Sequence, residues 1–317
     1  MRVLITGAAG FMAPHAARAL RAQGRCEIVG TTHSGQSAPG FDHTLTLDME
    51  DADAARTVIA QVRPTHVLHL AGVAAPPAAN RNPDAAWRIN TLGTLALGRA
   101  ILAQTPRTIL LHAGSGTAYG GSTNRATPLD EEAAFAPGDD YGASKAAADL
   151  GLGALAHVGL NVVRLRPFNH TGPGQSAAYA IPNFAAQIAA IERGMRAPVL
   201  MVGNLEAERD FCDVRDMAHA YARAALMATQ GTIPAGRAYN LCLGRGVSMR
   251  HVLELLLSMS RARIEVRQDP ARMRPSDIPR LVGDPTRADV ELNWRATIAL
   301  EDTLHAILDH FRGLPIT

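Results

Sequence analysis

The chain has 317 residues, 47% of them apolar, enough to bury one large core and to carry a smaller lobe beside it. Its 31 basic and 29 acidic residues are spread along the whole length and leave a formal charge of +2, so no basic tail or stripe marks a nucleic-acid partner. Cys26, Cys212 and Cys242 show none of the paired spacings of a metal site or disulfide framework, and no apolar run reaches the roughly 18 to 20 residues that span a bilayer.

Met1-Arg2-Val3-Leu4-Ile5 runs at once into a glycine turn, which leaves no room for a signal peptide and predicts a cytoplasmic protein with reduced cysteines. Short apolar runs at 2–5, 27–29, 66–70 and 108–111 alternate with longer amphipathic stretches, and Leu45-Thr46-Leu47-Asp48 ends a further strand. That alternation predicts βα units on a parallel sheet buried on both faces. A run at 161–165 fits a sixth strand after a helix that begins near Tyr141, giving an α/β, doubly wound, Rossmann-like domain over 1–166. Pro167, Gly172, Pro173, Gly174 and Pro182 then mark a chain leaving the sheet through an ordered loop. A smaller mixed α/β lobe is expected over 167–317, with helices near 183–193, 214–229, 248–260 and 300–311 and strands near 199–202 and 264–267. Part of it, about 210–245, is expected to return to the main sheet through the run at 239–243.

Thr6-Gly7-Ala8-Ala9-Gly10-Phe11-Met12-Ala13 directly follows the first strand and precedes a helix ending near Gly24. Glycine there permits a tight bend and close backbone approach, and the helix N-terminus offers N–H groups and a positive dipole end to a pyrophosphate. At the end of the second strand the sequence reads Val29-Gly30-Thr31-Thr32-His33-Ser34, with no carboxylate to repel a 2′-phosphate. Thr32 and His33 could accept one, which tips the balance toward NADP(H) over NAD(H), although His33 is otherwise a solvated loop histidine.

Tyr141-Gly142-Ala143-Ser144-Lys145 places a phenol and an ammonium four residues apart on one helix face. A phenol with an ordinary pKa of about 10 is a poor acid–base catalyst near neutrality unless a neighbouring positive charge stabilises the phenolate. Tyr141 is therefore the candidate proton donor to a ketone, and Lys145 its electrostatic partner and a holder of the nicotinamide ribose.

The GxxGxxA turn, the YxxxK pair and the strand-end segment Ser115-Gly116-Thr117-Ala118-Tyr119-Gly120 together resemble the extended short-chain dehydrogenase/reductases, the NAD-dependent epimerase/dehydratase superfamily. The resemblance implies that Ser115 polarises the substrate carbonyl and that Gly7, Ala9, Gly10, Phe11, Met12, Thr32, His33, Asp48, Met49, Leu70, Ala71, Gly72, Tyr141, Lys145 and Arg166 surround the cofactor. Asp48 would meet the adenine, or else simply cap the helix that follows. His69-Leu70-Ala71-Gly72 matches the family's cofactor wall, and Asn90 with Gly93-Thr94 its mid-helix asparagine motif, read as structural. The family's 4,6-dehydratases carry acidic residues directly after the catalytic hydroxyl; here stand Gly116 and Thr117, which turns the expectation from water elimination to ketone reduction. Thr117 would orient substrate or be a plain loop residue.

Arg166-Pro167-Phe168-Asn169-His170-Thr171-Gly172-Pro173-Gly174-Gln175 is similar to a segment of the GDP-mannose dehydratases and GDP-4-keto-6-deoxymannose reductases. By that similarity Asn169 meets the sugar diphosphate, and His170 is read as a loop support. Arg209, in Arg209-Asp210-Phe211, is the implied pyrophosphate clamp, a role suited to its planar fork. Arg215 and Asp216 are read as tying down a helix start. Arg274 and Asp277 are implied contacts to the diphosphate and the nucleotide ribose. The substrate-binding set is thus Ser115, Gly116, Thr117, Asn169, Arg209, Arg274 and Asp277. The implied activity is NAD(P)H-dependent reduction of the 4-keto group of a GDP-sugar, GDP-4-keto-6-deoxy-D-mannose, to GDP-D-rhamnose or its 4-epimer. The alternatives are an epimerase or dehydratase of the same superfamily, or a non-catalytic dinucleotide-binding regulator. A homodimer through two helices per subunit is also implied.

Overall fold

A strand covered on both faces needs apolar side chains pointing both ways, and Val3, Leu4 and Ile5 are all completely buried in the first strand, β1 (Arg2–Thr6). In the computed structural model, which describes residues 1–74, 76–124, 127–273 and 278–315, β1 lies inside a seven-stranded sheet. The other strands are β2 (Glu27–Thr32), β3 (His43–Thr46), β4 (His66–His69), β5 (Ile109–Ala113), β6 (Val162–Pro167) and the strand Ala238–Leu241. Their spatial order is β3-β2-β1-β4-β5-β6 followed by Ala238–Leu241, every neighbouring pair parallel. The sheet therefore has one strand more than the six read from the first 166 residues. The additional one pairs with β6, residue Tyr239 lying opposite Leu165.

Helices cover both faces. On one, Ala16 and Leu20 of helix Met12–Ala22 pack with Met217 and Tyr221 of helix Val214–Thr229. On the other, Ile59 of helix Ala52–Val62, Leu97 and Ile101 of helix Thr94–Gln104, and Leu152 of helix Asp140–His157 cover Leu4, Val67 and Leu110. Each such buried aliphatic side chain contributes about 1.5–3 kcal/mol. Strand order reverses between β1 and β4, and a crevice opens beyond the carboxyl ends of those strands. There the loop after β1 touches the loop after β4: Gly7 has φ +73°, and a Cβ on it would meet the backbone of Ala71 at 2.9 Å. Only glycine satisfies both conditions.

A separate apolar cluster joins helices Ala180–Glu192, Met249–Ser258 and Leu300–Gly313 through Ile188, Leu253 and Leu304. It carries two small sheets, one pairing Val199–Val202 with Glu265–Gln268, the other joining Glu208–Arg209 to Val247–Ser248 and Arg280–Leu281. The glycine- and proline-rich segment after β6 is ordered by the pairing of Asn169–Thr171 with Phe211–Asp213. The third strand ends at Thr46, short of Asp48, and the cap of helix Ala52–Val62 is Asp51, which accepts from the N–H groups of Asp53 and Ala54. Among the described residues no helix is long and apolar enough to cross a membrane.

Helix Asp140–His157 is anchored by charge. The fully buried Asp149 carboxylate accepts from Arg166 Nε at 3.0 Å and Nη2 at 2.9 Å, and from Arg164 Nη1 at 2.7 Å. Removing one member of a buried ion network strands the others without solvent. Replacing Asp149 with Ala should therefore lower unfolding free energy by about 3–5 kcal/mol, measured by urea denaturation; a loss under about 1 kcal/mol would mean that the arginines find other partners.

Candidate active site

The turn after β1 leads into helix Met12–Ala22 with Phe11 already in helical conformation at the N-cap, no side chain capping the helix and no acid in its first turn. An uncapped helix N-terminus beside a glycine turn suits an anion. Beside it a cavity of about 230 Å3 is lined by Gly7, Thr32, His33, Met49, Ala71 and Gly72, all expected cofactor neighbours. No carboxylate lines it, and Asp48, whose side chain accepts from the Glu50 N–H, stands 3.9 Å from His33. Ala9 and Gly10 are exposed on the turn. Met12 is buried in the core, and the partly buried Leu70 packs against it. The cavity also takes in Thr31, Leu47, Val73 and Ile89, which are not among the expected cofactor neighbours. Val73 adjoins the Ala71-Gly72 wall and was within reach of the motif; nothing local marks Ile89. The glycine turn, the uncapped helix and the cavity fit a nicotinamide dinucleotide, which supplies hydride chemistry when bound.

The reacting groups stand at the end of β5 and the start of the helix Asp140–His157. Asp139 caps that helix, accepting from Gly142 N–H at 2.7 Å, which fixes the first turn that carries Tyr141. A π-helical segment, Trp87–Gly93, turns Asn90 and Thr91 against it: Asn90 Nδ2 donates to Ser144 Oγ at 3.0 Å and Thr91 Oγ1 to the Ser144 carbonyl at 2.8 Å. Asn90 is thus structural, as its sequence context suggested.

Ser115, Tyr141 and Lys145 are all buried, and Ser115 is hydrogen-bonded to Tyr141. Burial pushes the Tyr141 phenol up to about 12, opposed by a hydrogen bond with Ser115, while Tyr179 and Asp139 act in the same direction as burial. Burial pushes Lys145 down to about 8, and its Nζ donates to the Ala113 carbonyl at 3.0 Å. The ammonium was expected to act directly on the phenol. One of its N–H groups meets a strand carbonyl, and a hydrogen bond from Ser115 also eases ionisation of Tyr141. Ser115 Oγ accepts from the Thr117 N–H at 3.1 Å and lies 3.0 Å from Thr117 Oγ1, so Thr117 fixes the position of the Ser115 hydroxyl. Gly116 has no space for a side chain, since a Cβ there would meet the Phe168 ring at 2.9 Å.

The assignment of Arg166 to the cofactor needs correction. Its side chain is buried, with Nε and Nη2 on Asp149, Nη1 donating to Tyr119 Oη and the Glu131 carbonyl, and its plane 4.6 Å from the Phe135 ring centroid. A guanidinium so engaged is a structural tie. Asn169 keeps its Oδ1 buried without a hydrogen-bond partner among the described residues. His170 supports its loop: Nδ1 bonds the Phe168 carbonyl and the ring stacks on Phe11 at 6.4 Å. Arg209 donates from Nη1 to the carbonyls of Glu208 and Ile278. Arg215 pairs with Asp213, and Asp216 accepts from the Thr297 and Ile298 N–H groups, so both tie down a helix start. Arg274 and Asp277 lie outside the described residues. Tyr179, also unnamed by the sequence reading, reaches from the start of helix Ala180–Glu192 to the Ala74 carbonyl at 3.4 Å.

Lys145 is charged below its depressed pKa and neutral above it, so activity that needs the ammonium is lost as pH rises. The kcat/KM profile, which reports the free enzyme, should show a basic limb near about 8; a profile flat to about pH 10 would exclude the Lys145 ammonium from the reaction.

The model of the NAD dependent epimerase/dehydratase family matches residues 3–242. A GDP-6-deoxy-D-mannose reductase of Pseudomonas aeruginosa is 34% identical over 313 residues, which cover 98% of this chain and 97% of the relative. A GDP-6-deoxy-D-talose 4-dehydrogenase of Aggregatibacter actinomycetemcomitans is 27% identical over 297 residues, 90% of each chain. The solved structure of RMD from Pseudomonas aeruginosa complexed with NADPH has a TM-score of 0.83 and 31% identity, with 98% of each chain covered. The family match takes in the glycine turn, Ser115, Tyr141, Lys145 and the seventh strand, and the chain belongs to the NAD dependent epimerase/dehydratase family.

Proposed function

We propose that the chain is an NAD(P)H-dependent reductase that converts the 4-keto group of GDP-4-keto-6-deoxy-D-mannose to a hydroxyl, giving GDP-D-rhamnose or its 4-epimer GDP-6-deoxy-D-talose. The observation that carries this reading is a phenol and a hydroxyl bonded to each other with no carboxylate at the two positions that follow Ser115. Tyr141 faces Ser115, while position 116 is closed by the Phe168 ring and position 117 holds a threonine bonded to Ser115. Elimination of water needs a further acid and base at the neighbouring carbons; ketone reduction needs one proton. Ser115 hydrogen-bonds the ketone oxygen, Tyr141 delivers the proton to it, and Lys145 holds the nicotinamide ribose and, while charged, favours the phenolate left behind. The 34% identity to a GDP-6-deoxy-D-mannose reductase supports the substrate class.

NADPH is the reading for the cofactor, supported by Thr32 and His33 in a carboxylate-free cavity and by the NADPH of the RMD structure. Asn169, Arg209, Arg274 and Asp277 are the proposed diphosphate and nucleotide contacts. Residues 1–166 with about 210–245 form the cofactor-binding part, and the rest of 167–317 mainly the substrate lobe, a division supported by the packing of helix Val214–Thr229 on Met12–Ala22. A homodimer is the proposed assembly, supported by Leu92 and Leu150, each 61% exposed on the Trp87–Gly93 segment and the helix Asp140–His157.

Purified protein given the keto sugar should oxidise one equivalent of reduced cofactor per sugar consumed. A sugar that changes without net cofactor oxidation would make the enzyme an epimerase. Tyr141→Phe should reduce turnover about 10²–10⁴-fold with cofactor affinity preserved, measured by stopped-flow absorbance and calorimetry; unchanged turnover would remove Tyr141 as the donor. The double variant Leu92→Glu with Leu150→Glu should sediment as a monomer where the native chain sediments as a dimer, and an unchanged sedimentation coefficient would place the interface elsewhere.

A further inference from the structure

The carboxyl ends of the strands carry a row of polar side chains across an otherwise apolar sheet. Thr31 lies opposite Thr6, Thr6 opposite His69, His69 opposite His112, and His112 opposite Arg164, so the row crosses β2, β1, β4, β5 and β6. Most members are satisfied. His69 Nδ1 bonds Thr6 Oγ1 at 2.7 Å and Nε2 bonds Thr94 Oγ1 at 2.8 Å, and Arg164 is held by Asp149 and the Gly236 carbonyl. His112 is the exception: its side chain is completely buried, and neither Nδ1 nor Nε2 has a hydrogen-bond partner among the described residues.

A neutral imidazole always presents one N–H donor and one lone-pair acceptor, and leaving both unmet inside a protein costs free energy. Alternation along β5 puts His112 on the same side as Leu110, the face covered by Leu152 of helix Asp140–His157. The same helix sends down Lys145, whose ammonium bonds the carbonyl of Ala113, the very next residue. A buried ammonium has three N–H donors to satisfy. The charged and titratable groups around His112 are Lys145, His69 from β4 and Arg164 from β6, and Asp149 adjoins through Arg164; Tyr141 precedes Lys145 on its own helix. Lys145 and Arg164 both hold the His112 ring neutral, with its pKa well below the ordinary value, burial being the larger cause. The ring therefore has a lone pair to offer.

We propose that a buried water bridges Lys145 to His112, accepting from Nζ and donating to the unprotonated ring nitrogen. In that arrangement His112 is a positioning residue: it keeps the ammonium solvated inside the protein, hence charged, and aimed at the reaction centre. The water gives the ring's lone pair a donor and the ammonium a second acceptor, in the way that internal waters do elsewhere. The consequence for activity rests on the reductase reading above; the bridge itself does not.

Two experiments separate those levels. Native protein crystallised to atomic resolution should show density within hydrogen-bond distance of both Lys145 Nζ and one His112 nitrogen; a dry contact overturns the proposal whatever the enzyme's reaction. In parallel, the pKa of Lys145 is followed by 15N resonance of Nζ in the native protein, His112→Leu and His112→Gln. Leucine removes the acceptor, so the Lys145 pKa should fall by about one unit, and kcat/KM near pH 9 should fall about tenfold while staying within about twofold near pH 6.5. Glutamine, which offers both an acceptor and a donor, should restore the native titration. A folded His112→Leu protein whose Lys145 titrates as in the native chain refutes the bridge. If neither variant folds, the native density decides alone.

Discussion

Asp149 accepts from Arg164 and from two nitrogens of Arg166, with Asp149 and Arg166 closed to solvent. Those contacts tie the middle of helix Asp140–His157 to β6, and almost every feature of the site depends on where that helix lies. One turn before Asp149 stands Lys145, and one turn before that Tyr141. At the other end Asp139 caps the first turn, and Asn90 and Thr91 pin Ser144 from the π-helical segment. The helix is thus fixed by polar contacts at three levels, which leaves little freedom for the phenol to drift from Ser115. Holding reacting groups within reach is itself a large part of catalysis.

The same burial sets the electrostatics. Burial raises the phenol and lowers the ammonium, since each neutral form is the one the interior tolerates. At neutral pH the phenol keeps its proton, as a donor must, and the lysine keeps its charge, although a rise to about 8 begins to remove it. The hydroxyl of Ser115 is the group that moves Tyr141 back toward ionisation, and Thr117 in turn orients Ser115. A chain of two hydroxyls and a phenol, anchored at the end of β5, therefore opposes part of the upward shift that burial imposes on Tyr141.

Much of the architecture was legible because it follows from local patterning. Fully apolar runs separated by glycine turns announce a parallel sheet, and helix Val214–Thr229 falls where its amphipathic pattern begins and ends. The Tyr141 and Lys145 spacing and the Ser115 position were readable for the same reason: four residues on a helix and a strand end are short-range relations. What escaped were relations between distant parts of the chain. Arg166 stands near the end of β6, just before a glycine loop, the setting of a ligand residue, yet Asp149 and Tyr119 claim its nitrogens from elements the sequence gives no way to bring together. Asp48 was a candidate helix cap where the cap is Asp51, three residues on, because either aspartate satisfies the local pattern. Arg209 meets the Ile278 carbonyl across a long sequence gap, with nothing local to signal it.

The absence of a carboxylate after Ser115 has a cause deeper than a choice of side chain at one position. Phe168 fills the space a side chain at 116 would need, and Phe168 belongs to a buried cluster with Tyr119, Leu129, Cys242 and Leu281. Tyr119 in turn donates to Asn240 and accepts from Arg166, which brings the cluster back to Asp149 and the catalytic helix. Admitting an acid at 116 would mean withdrawing an aromatic ring from that core, and moving the ring disturbs the network that places Tyr141. The identity of residue 116 and the stability of the fold are therefore coupled here: the packing that holds Tyr141 in place is continuous with the packing that keeps a side chain out of position 116.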